Sequence, residues 1–473
     1  MIYDFQAQFA FALQDDAVQG FALQWLAGES ERLPERWQML QAISDPAERL
    51  AILSQAMLSP HLERARSGTR TQSGGYRFWV AQRAPDFLHR RRVWMQELGL
   101  EPELPDLARF PPDSWALQLP FTLRKPYLSK DDTTFHLLDN PVRKEKIFQV
   151  PMVAATGWKG ALRTALVQHL VAWWGSLNDD ERQQCSHRRM FLRRRFQMAR
   201  LFGNEKGVQT DDASFDAFLD QLGGERLAQI YRRVVRRYLA ASGFVAGRLH
   251  FFPTFFDQLG LEVINPHSRQ SGVGERGPIL LEAVPQGATG TLLLLYVPFG
   301  RLNRRAVAQD LEMTAQGLQA LLTTYGFGAK TSSGFGVVEE ALAGQGRLVI
   351  RAALAGAEQK PSRPLEPEIP ETVQRFREQY PDEDFGLKPK EWRDKRKATS
   401  REQDQYKAAR ADFSDYQIQL SDYQHQVADW EKAADAASRQ PQPSVTERIF
   451  NTLSDLQEEA QQVAAQLRRG GEG

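Results

Sequence analysis

The sequence predicts an α+β chain built around one β-α-β-β-α-β unit, and three observations predict it. Period-two alternation begins at Ser114, where Trp115, Leu117, Leu119, Phe121 and Leu123 are separated by small or polar residues, the mark of a half-buried strand. Leu162, Leu166 and Leu170 then recur every four residues with Ala165 and Trp173 beside them, an amphipathic helix expected to begin near Lys159. Strand-like runs follow at GRLHFFPTFF, PILLEAV and TLLLLYVPF, then a helical stretch over roughly residues 304–324, then a last strand in YGFGAKTSSGFGVVEEAL. Strand, helix, strands, helix, strand is a ferredoxin-like order, with insertions accounting for the excess length.

The flanks have different patterns. Residues 1–113 are expected to be mainly helical, with GFALQWL and AERLAILSQAML at helical spacing and the loop RSGTRTQSGG between helices. The sheet domain is placed at 114–342. A proline-rich linker, EQKPSRPLEPEIPE, opens the polar stretch 343–384. Tyr406, Ala409, Phe413, Tyr416, Leu420, Tyr423, Val427 and Trp430 follow the 3-4 spacing of a heptad seam. QPQP then interrupts the helix. Ser444-Val445-Thr446-Glu447 reads as a capping box that starts a second helix, with Ile449, Leu453, Leu456, Ala460, Val463 and Leu467 as its seam. Residues 385–468 are thus expected to form a helical hairpin, closed on itself or docked on a partner.

Composition narrows the function classes. The 473 residues are 42% hydrophobic, enough for a substantial core. No stretch approaches eighteen apolar residues, and the first twenty residues carry acids where a signal peptide would carry a basic region. A cytoplasmic protein without a membrane partner is expected. The one cysteine, Cys185, excludes an internal disulfide framework and a thiolate zinc site. The net charge of +1 conceals arginine clusters at HRRRVW, HRRMFLRRRFQMAR and YRRVVRRY, candidate phosphate contacts. In the last of these, Arg232, Arg233, Arg236 and Arg237 share one side of a helix. Like charges there repel by a few tenths of a kcal/mol per pair, so an anionic partner explains them as well as a solvated face does.

Two glycine-containing segments suit a polyanion. In GWKGALR, Gly157 and Gly160 flank Trp158 and Lys159, Arg163 follows, and the amides of the helix start carry partial positive charge. In GFGAKTSSGFG, Gly326, Gly328, Gly334 and Gly336 surround Lys330, Thr331, Ser332 and Ser333. Neither has the spacing of a nucleotide-triphosphate loop. Together, LDNPVRKEKIFQVPMVAATGWKGALR, ARLFG, GRLHFFPTFF and GFGAKTSSGFG resemble the RAMP superfamily, the backbone proteins of type III CRISPR effector complexes, over about residues 114–342. EVINPHSR, with His267, also resembles the subunit that caps the guide's 3′ end in Cmr-type complexes.

The resemblance implies a modified RNA-recognition fold whose glycine loops bind the guide RNA backbone, with target RNA and other effector subunits as partners. The usual Ser-Ser-Leu-Lys-Gly core is here Ala155-Thr156-Gly157-Trp158-Lys159-Gly160, so Trp158 is a candidate stacking face for a base. Asp139-Asn140-Pro141 stands where the target-cutting subunits carry an aspartate before a proline, which implies that Asp139 is catalytic and ligates Mg2+ or another divalent cation. A carboxylate there binds such an ion or helps deprotonate a 2′-hydroxyl. An Asx turn ahead of Pro141 is the structural alternative, Asp131 and Asp132 compete in the same loop, and His136 reads as a packing residue. Three functions stay open: a guide-binding, target-cutting subunit; an end-capping or scaffold subunit; and a guide-processing endoribonuclease. The last ranks lowest because no histidine-tyrosine-lysine cluster is visible along the chain.

Overall fold

The computed structural model describes residues 19–31, 41, 43–55, 62–67, 75–131, 136–204, 214–265, 279–299, 303–354, 363–438 and 444–469. The chain divides into two units, Met1–Leu354 with Pro443–Gly473, and Ala355–Gln442. In the first, α1 (Gln19–Leu26), α2 (Pro46–Gln55), α3 (Leu62–Ser67), α4 (Gly75–Gln82) and α5 (Ala84–Glu97) precede the strand β1 (Ser114–Thr122). β2 (Met152–Val153) leads into α6 (Ala155–Gly175). An insertion of α7 (Asp179–Gln183), α8 (Cys185–Phe202), α9 (Phe215–Gly223) and α10 (Glu225–Tyr238) follows. Then come β3 (Leu249–Phe251), β4 (Thr254–Phe255), β5 (Gly260–Ile264), β6 (Ile279–Ala283), β7 (Thr289–Tyr296), α11 (Arg304–Ala320) and β8 (Ala341–Ala352). The second unit holds α12 (Glu371–Gln379), α13 (Pro389–Arg396) and α14 (Ser400–Ser438); the chain then returns to the first unit with β9 (Ser444–Thr452) and α15 (Leu453–Arg469).

The main sheet runs β3-β7-β1-β8-β9 and is antiparallel throughout. Its first four strands have the ferredoxin-like order, with α6 and α11 as the two crossovers. The expected alternation of β1 is met from Leu117 onward: Trp115, Leu117, Leu119, Phe121 and Leu123 are buried, but Ser114 and Ala116 at the strand start are buried too, Ala116 in a separate cluster with Leu107, Leu295 and Val297. Trp115 stacks on its cross-strand partner Tyr296 at 4.9 Å. α11 approaches α6 closely at Gly317, where a Cβ would sit 2.8 Å from Leu166 Cδ2. Between α8, α11 and β7 the buried Asp310 accepts from Arg200 Nε at 2.7 Å and from the Tyr296 hydroxyl at 2.8 Å. A buried charge stays only when paired in this way.

The C-terminal reading needs correction. Ser444-Val445-Thr446-Glu447 does not start a helix; it opens β9, which pairs with β8 from Ala352↔Ser444 to Gly346↔Phe450. The capping box lies eight residues further on, where Asp455 N donates to Thr452 Oγ1 at 3.0 Å and Thr452 N donates to Asp455 Oδ2 at 3.1 Å. Glu340 adds a second tie, accepting from Ser454 N at 2.8 Å. The expected seam residues Leu453, Leu456, Ala460, Val463 and Leu467 are buried as foreseen, but within the main core cluster that also holds Leu311, Ala315 and Leu318 of α11. The arms of the expected hairpin therefore belong to different units, and the sheet domain does not end at residue 342. The physical reason is strand pairing: β8 lies between β1 and β9 and cannot be a linker.

The second unit has its own aromatic core of Val373, Phe376, Phe385, Trp392, Tyr406 and Ala409, with Trp392 stacked on Tyr406 at 4.5 Å. Of the proline-rich stretch, residues 363–371 are described. Pro364, Pro367 and Pro370 are half-buried while Leu365, Glu366, Glu368 and Ile369 between them are exposed, a three-residue period that fits polyproline II. Arg363 lies over the Trp430 ring at 5.8 Å, and the Thr372 hydroxyl donates to Asp412. From 363 to 370 a polyproline II strut spans about 22 Å, against about 27 Å for the α-helix from 412 to 430. Along α14, Tyr416, Leu420, Tyr423, Val427 and Trp430 form a half-buried stripe.

Because the second unit is inserted in the β8–β9 hairpin, replacing residues 355–442 by an Asn-Gly turn is expected to leave a cooperative thermal transition and a native near-UV circular dichroism spectrum. A chain ending at Ala341 is expected to lose both, since it lacks two strands and the α15 face.

Candidate nucleic-acid interface

Both glycine motifs meet in the core of the first unit. Residues 124–131, leaving β1, run between the glycine loop on one side and the Asp139 loop on the other. Gly336 N donates to Pro126 O at 2.9 Å and Ala329 N to Leu128 O at 2.7 Å; across the segment, Asp131 N donates to Pro141 O at 3.1 Å and Arg143 N to Ser129 Oγ at 2.8 Å. Glycine is required in the loop by close backbone approach: at Gly336, φ +71°, a Cβ would lie 1.9 Å from Phe327 O, and at Gly328, φ +90°, 2.3 Å from Leu128 O. The loop tip is different. Lys330 adopts a left-handed φ of 58° and is exposed with Ser332 and Ser333, while Thr331 is half-buried. Lys125, Lys130 and Arg143 are exposed on the neighbouring segments.

α6 starts at Ala155, four residues before the expected position. Its N-cap, Ala154, supplies no side-chain hydrogen bond, which leaves the first-turn amides for an anion, with Thr156 and Gly157 exposed. Gly160 is exposed, with nothing within 4 Å of the space a Cβ would take. Lys159 is half-buried, and burial together with the neighbouring Arg163 lowers its pKa. His250 on β3 is lowered by burial and by Lys159, which puts it in the same patch. Arg163 itself lies over the Phe215 ring at 5.2 Å. Trp158, expected to stack on a base, is buried instead: its Nε1 donates to Thr254 Oγ1 at 2.9 Å and its ring meets Phe327 of the glycine loop at 4.5 Å. It joins the two motifs from beneath, and no base reaches it.

Asp139 is exposed and paired with Arg66 on α3. Arg66 NH2 lies 2.9 Å from Asp139 Oδ1, and Arg66 Nε donates to Leu137 O at 2.7 Å. The loop that carries Asp139 is pinned by Glu282 of β6, whose carboxylate is fully buried. Glu282 accepts from the Tyr76 hydroxyl of α4, from Val142 N at 2.9 Å and from Lys144 Nζ at 2.5 Å, with His136 Nε2 at 3.6 Å. Its own amide donates to Asn140 O at 3.2 Å. Burial pushes the Glu282 pKa up, but the Lys144 charge and His136 override it and hold the group at about 2. Beside this brace a cavity of about 390 Å³ is lined by Tyr76, Trp79, His136, Lys144, Lys146 and Gln149, among others.

The model of the RAMP superfamily matches residues 74–339. The chain belongs to the RAMP superfamily. No curated protein matches it at a significant level. Among solved structures, a chain of a type III-B Cmr-beta complex bound to cognate target RNA is 13% identical, over 71% of this chain and 90% of that one, with a TM-score of 0.30. Cmr6 from Pyrococcus furiosus is 16% identical, over 48% of this chain and 97% of that one, with a TM-score of 0.24. A chain of a CRISPR RNA-guided surveillance complex is 12% identical, over 57% and 86%, with a TM-score of 0.28. The family assignment rests on the sequence match alone.

The RAMP match begins forty residues before β1, so α4 and α5 fall inside it although the sequence reading placed them outside the RNA-binding domain. The arginine clusters separate by burial. Arg195 is buried against Asp220 at 2.7 Å, Arg200 against Asp310, and Arg232, of the four on α10, is held by Asp220 and Glu225. Their charges are used internally, whereas Arg233, Arg236 and Arg237 are exposed. His267 and Asp132 lie outside the described residues. Tyr76, His136 and Lys144 do form the histidine-tyrosine-lysine grouping that the sequence did not reveal, but all three point at Glu282. Among the described residues no three His, Cys, Asp or Glu converge to hold a metal, and no helix is long and apolar enough to cross a membrane. Around Arg66 the described oxygens are the Asp139 carboxylate, the Leu137 carbonyl and Glu63 Oε1, the last 3.9 Å from Arg66 NH1.

Glu282→Gln is expected to destabilise the first unit by about 3–5 kcal/mol, because it leaves Lys144 buried without its countercharge. The depressed pKa means that the contribution of Glu282 is fully present above the ordinary glutamate value near 4.5 and is lost as pH falls toward about 2. Urea unfolding of both proteins between pH 3 and neutrality checks this: the wild type is to lose stability over the acid range, and the variant is to lose less.

Proposed function

We propose that this RAMP chain is a subunit of a type III CRISPR effector, holding guide RNA by its phosphate backbone and presenting Asp139 to the paired target RNA. The observation that carries the reading is convergence. The glycine-loop tip with Lys330, the uncapped α6 start with Lys159 and Gly160, and the exposed cations Lys125, Lys130 and Arg143 are brought together by backbone bonds and by the Trp158–Phe327 contact. Main-chain amides and point charges at such a surface bind phosphates without reading bases. The lowered pKa of Lys159 supports it too, since a phosphate would offset the hydration lost to burial and the repulsion from Arg163.

Cleavage, on this reading, uses the nucleophile that RNA carries. Asp139 accepts the proton of a 2′-hydroxyl, and that oxygen attacks the adjacent phosphorus in line with the departing 5′-oxygen. The alternative is an end-capping or scaffold subunit, favoured by one observation: the Asp139 carboxylate is satisfied by Arg66, as a structural turn residue would be. Guide processing remains the third reading, with Tyr76, His136 and Lys144 engaged by Glu282.

RNA affinity is expected to fall steeply with salt and to vary little among unrelated guides, as counterion release requires. Lys159→Ala and Lys330→Ala should each weaken guide binding by ~1 kcal/mol, while Arg232→Ala should leave it unchanged; filter binding across a salt series measures all three. Asp139→Ala should bind guide normally and lose one target fragment in a reconstituted complex. Full cleavage by that variant would leave the scaffold reading.

A further inference from the structure

We infer that the outer face of α6 carries a nucleobase site, an uncharged aromatic groove that takes one unpaired base of the RNA whose phosphates lie at the start of the same helix. The inference rests on the proposed function and adds a contact to that surface. The groove, of about 640 Å³, is walled by Val167, Gln168 and Val171 of α6, by Phe215 and Phe218 of α9, and by Tyr325. None of its lining among the described residues is charged. Its position ties it to the phosphate surface. Lys159, Arg163, Val167 and Val171 recur every four residues, so one stripe of α6 runs from the cations into the groove. Four residues, about 6 Å of helix, separate Arg163 from Val167, less than a nucleotide spans from its phosphate to the far edge of its base. The Arg163 guanidinium lies over the Phe215 ring at 5.2 Å, which joins the charged part to the aromatic part.

The chemistry of the walls selects the ligand. Phenyl and phenol rings beside an amide suit a flat, neutral group that stacks and hydrogen-bonds. Phe218 is 45% exposed and Gln168 is exposed, so both are reachable from solvent, while Phe215 and Tyr325 are half-buried and packed on the main core. Tyr325 is also held by its neighbour: at Gly326, φ +73°, a Cβ would lie 2.4 Å from Phe335 O, so this wall belongs to the root of the glycine loop. The groove is thereby fixed relative to both phosphate contacts. An apolar side chain of another protein would cover the rings equally well, but only a nucleotide also uses the cations that lead into them. Stacking on such rings tolerates any base, so the site adds affinity without reading sequence. It supplies the stacking face that Trp158, buried beneath the motifs, does not.

The test measures binding of the full-length chain to a short oligouridine and to a ribose-phosphate oligomer of the same length without bases, by filter binding across a salt series. The wild type is expected to hold oligouridine about tenfold more tightly. Phe218→Ala is expected to hold both equally, with the wild-type salt slope, because no phosphate contact is lost. Ala172→Trp, which fills the groove from an exposed position of α6, is to do the same. With 5-iodouridine in the oligomer, crosslinks are to form at Phe215, Phe218 or Tyr325 in the wild type and to vanish in Ala172→Trp. The base-free oligomer leaves the protein unchanged, so the comparison stands even where a variant folds poorly. The inference is overturned if the wild type binds both oligomers equally, if both variants keep its preference, or if crosslinks fall only outside the groove. Loss of either variant from a reconstituted effector complex, with oligouridine binding unchanged, overturns it in favour of a protein contact. A wild type that binds neither oligomer, or binds without salt dependence, removes the phosphate surface itself and this site with it.

Discussion

A carboxylate taken fully out of water costs several kcal/mol unless it is paired and hydrogen-bonded, and Glu282 is in that position. Its partners come from separate parts of the chain: Tyr76 from the N-terminal helices, and His136, Val142 and Lys144 from the loop after β1. Satisfying that one group therefore decides where the N-terminal helices sit against the RAMP sheet and what course the 136–144 loop takes. Asp139 ends up on the outer side of the loop because its neighbours Leu137, Leu138 and Val142 are buried. Arg66 reaches it because α3 lies in the same compact unit as the sheet.

The surface proposed for RNA depends on a second packing constraint. Polar, glycine-rich backbone holds a fixed shape only where something rigid supports it, and Trp158 is that support. It ties α6 to the glycine loop through Phe327 and to β4 through Thr254. Of the side chains above this wedge, Lys330 is exposed and Lys159 half-buried. Charge is divided in the same way. Arginines at helix–helix contacts are neutralised by Asp216, Asp220 and Asp310, and Arg233, Arg236 and Arg237 of α10 face water. A net charge of +1 hides this sorting.

Much of the fold was legible in the sequence. The period-two run from Trp115 to Leu123 and the four-residue recurrence of Leu162, Leu166 and Leu170 mark the faces that share the main core, although the other face of β1 is covered at Ala116 by Leu107, Leu295 and Val297. β9 was not legible. Of its nine residues only Phe450 is fully buried, so its alternation is weak, and Ile449, Leu453 and Leu456 happen to continue a helical spacing across the strand–helix junction. The polyproline strut was read as a linker because composition alone says nothing of a partner surface forty to sixty residues later.

The site was legible in its motifs and not in its contacts. Trp158 carried a signal that was passed over: it stands four residues before Leu162, on the buried stripe of the helix. Glu282 carried another, as a lone acid in the apolar run PILLEAV, which demands a buried partner. Arg66 carried none, since its link to Asp139 spans seventy-three residues and is set by tertiary packing alone. The central claim is that one surface, built from the glycine loop, the α6 start and the segment after β1, holds the RNA. Amide hydrogen exchange read by mass spectrometry, with and without bound guide RNA, tests it most directly. Protection concentrated in residues 124–131, 155–163 and 328–334 is the predicted result; protection confined to the exposed arginines of α8 or α10, with those three segments unchanged, would contradict it.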